Sequence, residues 1–314
     1  MNNNILVTGG CGYIGSHICY ELKNNGFIPI VYDNLSRSSI IDYDNLEIGD
    51  ISDSEKIINI IKKYNPIAVI HLAAFAYVEE SMMFPSIYYY NNVAKSIIFL
   101  NILKKYNINN IIFSSTCAVY GNPVKIPINE DESIKPINIY GKTKYIIEEV
   151  INDLKFNNIR FRYFNVAGHH ITNKKLKENH NPETHLIPIL INSIDTSSSI
   201  NIYGNDYNTY DGTCIRDYIH VMDIATAHIL ALKKILNISN CNYVLNIGTN
   251  KGYSINEIIS EIEHQYSIKL NIKYVNRRIG DPDKLIADYN LIKNVLNWNP
   301  LYSNIKTIIS SYKN

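Results

Sequence analysis

Along the first half of the chain, apolar residues recur in two patterns. Short unbroken runs, "NILVTG", "FIPIVYD", "PIAVIHLA", "NIIFSS" and "NIRFRYFN", read as strands buried on both faces. Between them a helical period predicts helices over 13–25, 54–64, 85–106 and 140–156. Strands alternating with helices imply right-handed βαβ crossovers, and hence an α/β fold with a doubly wound parallel sheet. After Asn165 the pattern loosens into a polar, His-containing stretch over 168–184 and a Gly/Asp-rich segment "YGNDYNTYDGT". A late helix is announced by the capping pattern Ser254-x-x-Glu257. The run "NYVLNIG" is strand-like and returns to the main sheet in this reading. The expected division is a domain over 1–165, rejoined by 217–248, and a smaller C-terminal lobe from 166–216 and 249–314.

Composition narrows the partners. The 314 residues carry 30 Lys+Arg against 29 Asp+Glu, a formal charge of +1, so nothing electrostatic favours nucleic acid or an anionic membrane. No window offers the ~18 apolar residues of a membrane span, and "MNNN" leads into a strand with no signal-peptide layout, so a cytoplasmic protein is expected. Cys11, Cys19, Cys117, Cys214 and Cys241 are scattered and include no C-x-x-C pair, which argues for reduced, mostly buried thiols.

Chemistry first appears in "ILVTGGCGYIGSHI". Gly9-x-x-Gly12-x-x-Gly15 follows a strand and opens a helix, where missing Cβ atoms permit a tight turn and let a pyrophosphate approach the helix N-terminus. This is the dinucleotide-binding arrangement of a Rossmann sheet. The second strand ends at Asp33, whose carboxylate suits the adenosine ribose hydroxyls of NAD and would repel the 2′-phosphate of NADP; Arg37 alone points the other way. Asp50 follows a third strand as a partner for the adenine amino group, and Leu72, Ala73 and Ala74 end the fourth beside the cofactor path. Tyr13, Ile14, Asn34, Ile51, Asn91, Ser114 and Phe164 complete the expected cofactor contacts.

The second constellation is "YGKTK". Tyr140 and Lys144 lie four residues apart on one helical face, so the ammonium, with the positive ring of NAD, is expected to lower the phenol pKa and make Tyr140 a general base. Lys144 would also hold the nicotinamide ribose. Thr116, at the end of "FSST", offers a hydroxyl bridge to substrate. His169, His170, His180 and His185 lack fixed ligand spacing, and no metal is expected.

Together these motifs resemble the extended short-chain dehydrogenase/reductase family, more closely its UDP-hexose 4-epimerases. The similarity extends through "VYDNLS", "AAFAYVEES", "YYYNNV", "FSSTCAVYG", "RYFNVAG", "YGNDYNTYDGTCIRDYIHVMDIA" and "RRIGDPDKLIAD". The resemblance implies a C-terminal lobe that binds a UDP-sugar. It places Arg216 and Arg278 at the diphosphate, Asp281 at the ribose, Asn165 near the diphosphate, and Leu186 and Tyr203 at the uracil, with His185 beside them. The implied reaction interconverts UDP-galactose and UDP-glucose: hydride leaves C4 for NAD and returns to the other face of the 4-keto sugar. A homodimer is implied as well, with the Tyr88–Tyr90 helix facing a second subunit.

Departures from the family pattern choose among its members. Where the family's dehydratases carry acids before "VYG", this chain has Cys117 and Ala118, so no elimination route is evident. Ala76 stands where some epimerases have a lysine, and no charge contact is expected there. Leu285, four residues after Asp281, occupies the position that in the family helps decide whether an N-acetyl group at C2 fits; its bulk predicts a preference for the plain hexoses. The alternatives are another NAD-dependent sugar-nucleotide epimerase, dehydratase or decarboxylase, or a catalytically silent NAD-binding interaction protein.

Overall fold

The computed structural model describes residues 2–178, 182–196, 198–278 and 280–313. In chain order the first half runs β1 (Asn4–Thr8), α1 (Tyr13–Asn24), β2 (Ile28–Asp33), β3 (Leu46–Ile48), α2 (Ser54–Tyr64), β4 (Ala68–His71) and α3 (Val78–Met83). A long helical rod follows: α4 (Pro85–Tyr88), a wider π-helical stretch (Tyr89–Ala94) and α5 (Lys95–Lys105). Then come β5 (Asn110–Thr116), a tight 3₁₀ turn (Cys117–Tyr120), α6 (Ile139–Asp153) and β6 (Asn157–Tyr163).

Seven strands form one parallel sheet in the order β10-β6-β5-β4-β1-β2-β3, where β10 is Asn242–Ile247. Strand order reverses between β1 and β4, which opens a crevice at the carboxyl edge there. One face of the sheet packs Ile5, Val7, Ile112 and Phe161 under α1 and α8 (Val221–Asn237); the other packs Leu6, Val69, Ile111 and Phe113 under α2, α5 and α6. Both faces are covered, which explains why the strands lack polar alternation.

The rest of the chain is built from shorter pieces: β7 (Asn165–Ala167), α7 (Leu186–Thr196), β8 (Ile200–Tyr203), β9 (Ile215–His220), β11 (Gly252–Ser254), α9 (Ile255–Tyr266), β12 (Ile272–Val275), β13 (Lys284–Leu285), α10 (Asn290–Leu296) and α11 (Ile305–Ser311). β9 pairs with β7, β11 and β13, while β8 pairs with β12. A separate core of Ile187, Leu190, Ile202, Ile258, Ile262 and Ile308 holds α7, α9 and α11 together. Ser254 caps α9 in a full capping box with Glu257.

Candidate active site

A single cleft of about 1590 Å³ runs along the carboxyl edge of the large sheet and under the shorter strands. That exceeds the roughly 300–1,000 Å³ of a one-ligand pocket, so it has room for a dinucleotide and a second nucleotide. Every cofactor and substrate residue expected from the sequence lines it: Gly9, Gly12, Tyr13, Ile14, Gly15, Asp33, Asn34, Asp50, Ile51, Leu72, Ala73, Ala74, Asn91, Ser114, Thr116, Tyr140, Lys144, Phe164, Asn165, His185, Leu186, Tyr203, Arg216, Arg278 and Asp281.

The glycine turn tests whether a dinucleotide fits. Gly9 has φ +73°, and a Cβ there would lie 2.8 Å from the Ala73 amide nitrogen; one on Gly15 would lie 2.3 Å from the Gly9 carbonyl oxygen. These two are needed for the turn itself. A Cβ on Gly12 would meet only the Gly9 oxygen at 3.3 Å, so Gly12 borders the open cleft, where α1 begins and its first-turn amides face an incoming phosphate. The residues fit the group. Asp33 is oriented by donors from Cys11 N (3.0 Å), Leu35 N (2.9 Å) and Ser38 Oγ (3.0 Å). Asp50 enters the cleft already engaged by Lys95 (2.7 Å) and Asn34 (2.9 Å); burial works against its charge, yet Lys95 and Ser52 hold its carboxyl down at about 2. Arg37 is drawn away from Asp33: it pairs with Glu80 at 2.7 Å and stacks 4.3 Å over Phe75.

At the middle of the cleft, Asn138 caps α6 by accepting from Gly141 N at 2.8 Å, which fixes the first turn that carries Tyr140. The Tyr140 phenol lies near the Thr116 hydroxyl, which favours the phenolate, and Thr116 Oγ1 accepts from Ala118 N at 3.1 Å. One turn on, Lys144 is 4% exposed and donates to Ser114 O (2.7 Å) and Ser114 Oγ (3.2 Å). The sequence reading has Lys144 lowering the phenol pKa, and in this structure a different effect dominates. Burial pushes Tyr140 well up, against the pull of the Thr116 hydroxyl, and pushes Lys144 down to about 7, against Glu148. A dry site penalises both charged forms, so the phenolate needs a positive charge beyond that of Lys144.

On the far wall, Arg216 is 7% exposed and lies 3.4 Å from Asp281. The Arg278 guanidinium stacks 3.9 Å over Tyr203. Leu285 pairs in register with Arg216 and packs with Cys117 and Phe164 while lining the cleft. Among the described residues, the histidines of the long loop do not converge. His169 packs on Tyr312, His170 accepts from Asn173 N, and His180 lies outside the described residues. His185 sits between Glu178 (2.9 Å) and Glu183 (2.8 Å); burial opposes its charge, but the two carboxylates raise it to about 10. Those three residues bring ligand atoms within 4.8 Å of one another. All five cysteines are buried free thiols.

Sequence reasoning missed the Arg37–Glu80 pair and Tyr163. Tyr163 lies opposite Thr116 in the β5–β6 register and bonds His228 Nε2 at 2.8 Å. Its signal was its place beside Phe164 in "RYFN", although the side-chain direction was not legible there.

A glycine turn at the switch point of a doubly wound sheet, sharing one cleft with a Tyr–Lys helix, defines a dinucleotide-binding α/β protein. The chain belongs to the NAD dependent epimerase/dehydratase family, whose model matches residues 5–248. It is 40% identical to the UDP-glucose 4-epimerase of Rhizobium meliloti over 96% of this chain and 93% of that one. Among solved structures, UDP-glucose 4-epimerase from Brucella ovis in complex with NAD superposes with a TM-score of 0.94 at 42% identity, covering 98% of this chain and 97% of the other. The Bifidobacterium longum enzyme in complex with NAD+ and UDP gives 0.92 at 31% identity, covering 98% and 96%.

Proposed function

We propose that this protein is an NAD-dependent UDP-glucose 4-epimerase that interconverts UDP-galactose and UDP-glucose. The observation that carries the reading is that one cleft brings together the glycine turn, the neighbouring Tyr140 and Thr116 hydroxyls, the Lys144–Ser114 contact and the Arg216–Asp281 pair. The relatives' activity and the NAD and UDP of the neighbouring structures agree with it. NAD, when bound on the glycine turn and Asp33, supplies a reversible acceptor for the C4 hydride. Tyr140 Oη takes the C4 hydroxyl proton, directly or through Thr116 Oγ1, and gives it back when the configuration has changed. Arg216 and Arg278 grip the diphosphate while the hexose turns to present its other face. Cys117 and Ala118 bring no acid to the sugar, so water is not eliminated.

In this reading 1–165 and 217–248 form the cofactor unit, and 166–216 with 249–314 form the UDP-sugar lobe. We place the protein in the cytoplasm, where five free thiols are stable, and no helix among the described residues is long and apolar enough to cross a membrane. It forms a homodimer through the Pro85–Lys105 rod, whose exposed Ile87, Tyr90 and Ile98 make an apolar stripe at helical spacing.

The test is incubation of pure protein with UDP-galactose and no added cofactor. UDP-glucose should form without net NADH, and deuterium placed at C4 should stay at C4 with none arriving from heavy water. Stoichiometric consumption of NAD would make the protein a dehydrogenase, and a product lacking O6 would make it a dehydratase.

A further inference from the structure

Behind the Tyr140–Thr116 wall lies an ion pair that takes no part in the steps above. Glu148 is 1% exposed and Arg162 is 4% exposed. Arg162 Nε donates to Glu148 Oε1 at 3.0 Å and its terminal nitrogen to Oε2 at 2.6 Å, a two-pronged contact. Burying two charges costs several kcal/mol per ion, and apolar pairs of similar volume often serve a core as well or better. The question is what this pair does that two apolar residues could not.

Its contacts converge on one short segment. Glu148 also accepts from Ser115 Oγ, the residue just before Thr116. Arg162 lies opposite Ser115 in the β5–β6 register, and its other terminal nitrogen donates to Tyr120 Oη at 3.0 Å. Tyr120 closes the 3₁₀ turn that begins at Cys117, and its hydroxyl donates to Asn246 Oδ1 at 2.7 Å. Thus one ion pair clips both ends of Ser115–Tyr120, the stretch that presents Thr116 and Cys117 to the cleft. The helix adds a second restraint. Tyr140, Lys144 and Glu148 succeed one another at four-residue intervals on α6, so neighbouring turns hold neighbouring residues of β5: Lys144 takes Ser114, and Glu148 takes Ser115.

We infer that Glu148 and Arg162 are positioning residues: their buried ion pair fixes the Ser115–Tyr120 segment so that the Thr116 hydroxyl stays in register with Tyr140, and Glu148 supplies the negative charge facing Lys144. The inference rests on the proposed epimerase reaction for its assay. Lys144 is otherwise faced by Ser114 and the Phe113 ring on β5, by His71 on β4, which burial keeps neutral with its pKa near 3, and by Tyr140 on its own helix. Glu148 is the group that opposes the burial of Lys144, with Arg162 beyond it.

The test compares wild type with a Glu148→Leu/Arg162→Met double variant, which keeps apolar volume where the ion pair stood, and with Glu148→Gln. In the double variant, Tm, bound NAD and the KM for UDP-galactose should stay near wild type while kcat falls roughly 10- to 100-fold, the scale expected when a reacting group shifts by about an ångström. In Glu148→Gln, which keeps the Ser115 hydrogen bond, the alkaline limb of the kcat–pH profile should move to lower pH, because Lys144 loses its proton more readily. A folded double variant with kcat within twofold of wild type, or an unmoved alkaline limb in Glu148→Gln, overturns the inference. Should the double variant fail to fold, Ser115→Ala removes only one clip: a severalfold loss in kcat at unchanged Tm and KM supports positioning, and unchanged kcat overturns it. If wild-type protein itself does not epimerise UDP-galactose, the proposed function falls first, and the two failures are told apart in the same assay.

Discussion

The two walls of the cleft are built to hold ligands by different means. On the cofactor wall the recognition surface is mostly backbone: a glycine turn whose missing side chains leave space and a helix start, with Asp33 held by three donors. On the opposite wall it is mostly side chain: Arg216 against Asp281, Arg278 on Tyr203, and Leu186. A backbone surface cannot be altered without moving the chain, whereas a side-chain surface can lose one contact and keep its shape. In the proposed reaction the first wall would hold a resident cofactor, and the second a substrate that comes, turns and goes.

The sharpest way to break that contrast is one substitution on each side. Gly15→Ala would put a Cβ 2.3 Å from the Gly9 carbonyl oxygen, a backbone atom with no room to yield. Purified Gly15→Ala protein should carry no NAD and show no measurable turnover. Arg278→Ala on the opposite wall should keep its NAD and raise the KM for UDP-galactose roughly 10- to 100-fold, the value of one or two charged hydrogen bonds. Absorbance of the nucleotide released on denaturation reads the first outcome and steady-state kinetics the second. Equal NAD content in the two variants would erase the distinction.

Between the walls stands Tyr140, which belongs to neither kind of surface. Tyr140→Phe deletes one hydroxyl and little packing, so bound NAD should persist while kcat falls ~10²–10⁴-fold. Loss of NAD with the hydroxyl would move Tyr140 to the cofactor wall, and near-normal turnover would remove it from the mechanism.

The cofactor wall also has an electrostatic weakness. His17 in α1, His169 in the long loop and His228 in α8 are pushed by burial down to about 4, and His71 in β4 and His220 in β9 to about 3. An unfolded histidine takes up a proton near pH 6.5, so below that pH the unfolded chain binds protons that the native state refuses, and stability falls until the native values of 3–4 are passed. Burial raises Glu130 and Asp217 to about 7 and also raises Asp223; these buried carboxyls act in the opposite sense over the same window. Five histidines outweigh three acids, so Tm should drop between pH 6.5 and 4.5, with NAD released before the secondary structure melts. A flat Tm over that window, or unfolding with NAD still bound, would show that the acids cancel the histidines.

Legibility in the sequence follows the same division. Buried strands with both faces covered leave unbroken apolar runs, so the strands of the main sheet and the ends of α2 could be read directly, and the glycine turn carried its own spacing. The helix expected over 85–106 is a rod interrupted by a π-helical stretch, Tyr89–Ala94, and no local signal marks that widening. β11 and β13 are three and two residues long and exist because β9 offers them an edge; strands so short have no period to detect. Residues of the opposite wall were placed only through resemblance to relatives. The Glu148–Arg162 pair was invisible for another reason: charged residues on a helix and a strand read as surface until the fold buries both.

The smallest expected effect lies on the side-chain wall, at Leu285. It is 6% exposed, sits in β13 beside Arg216, and packs with Cys117, Val119 and Phe164, so it is held from behind and borders the cleft in front. In the proposed reading, an acetamido group at C2 of the sugar would compete for the volume this side chain fills. Overpacking a formed site costs ~1–3 kcal/mol, roughly 5- to 150-fold in specificity. Wild-type protein should therefore favour UDP-galactose over UDP-N-acetylgalactosamine in kcat/KM by a factor in that range. Leu285→Ser should narrow the gap by improving the N-acetyl sugar while changing UDP-galactose little. Because the backs of Cys117 and Phe164 also lose a partner, Tm should fall by a few degrees, and this cost must be measured separately from specificity. Equal wild-type values for the two sugars, or no gain for the N-acetyl form in Leu285→Ser, would mean that the leucine serves only the small core behind the cleft and that the wall tolerates both sugars.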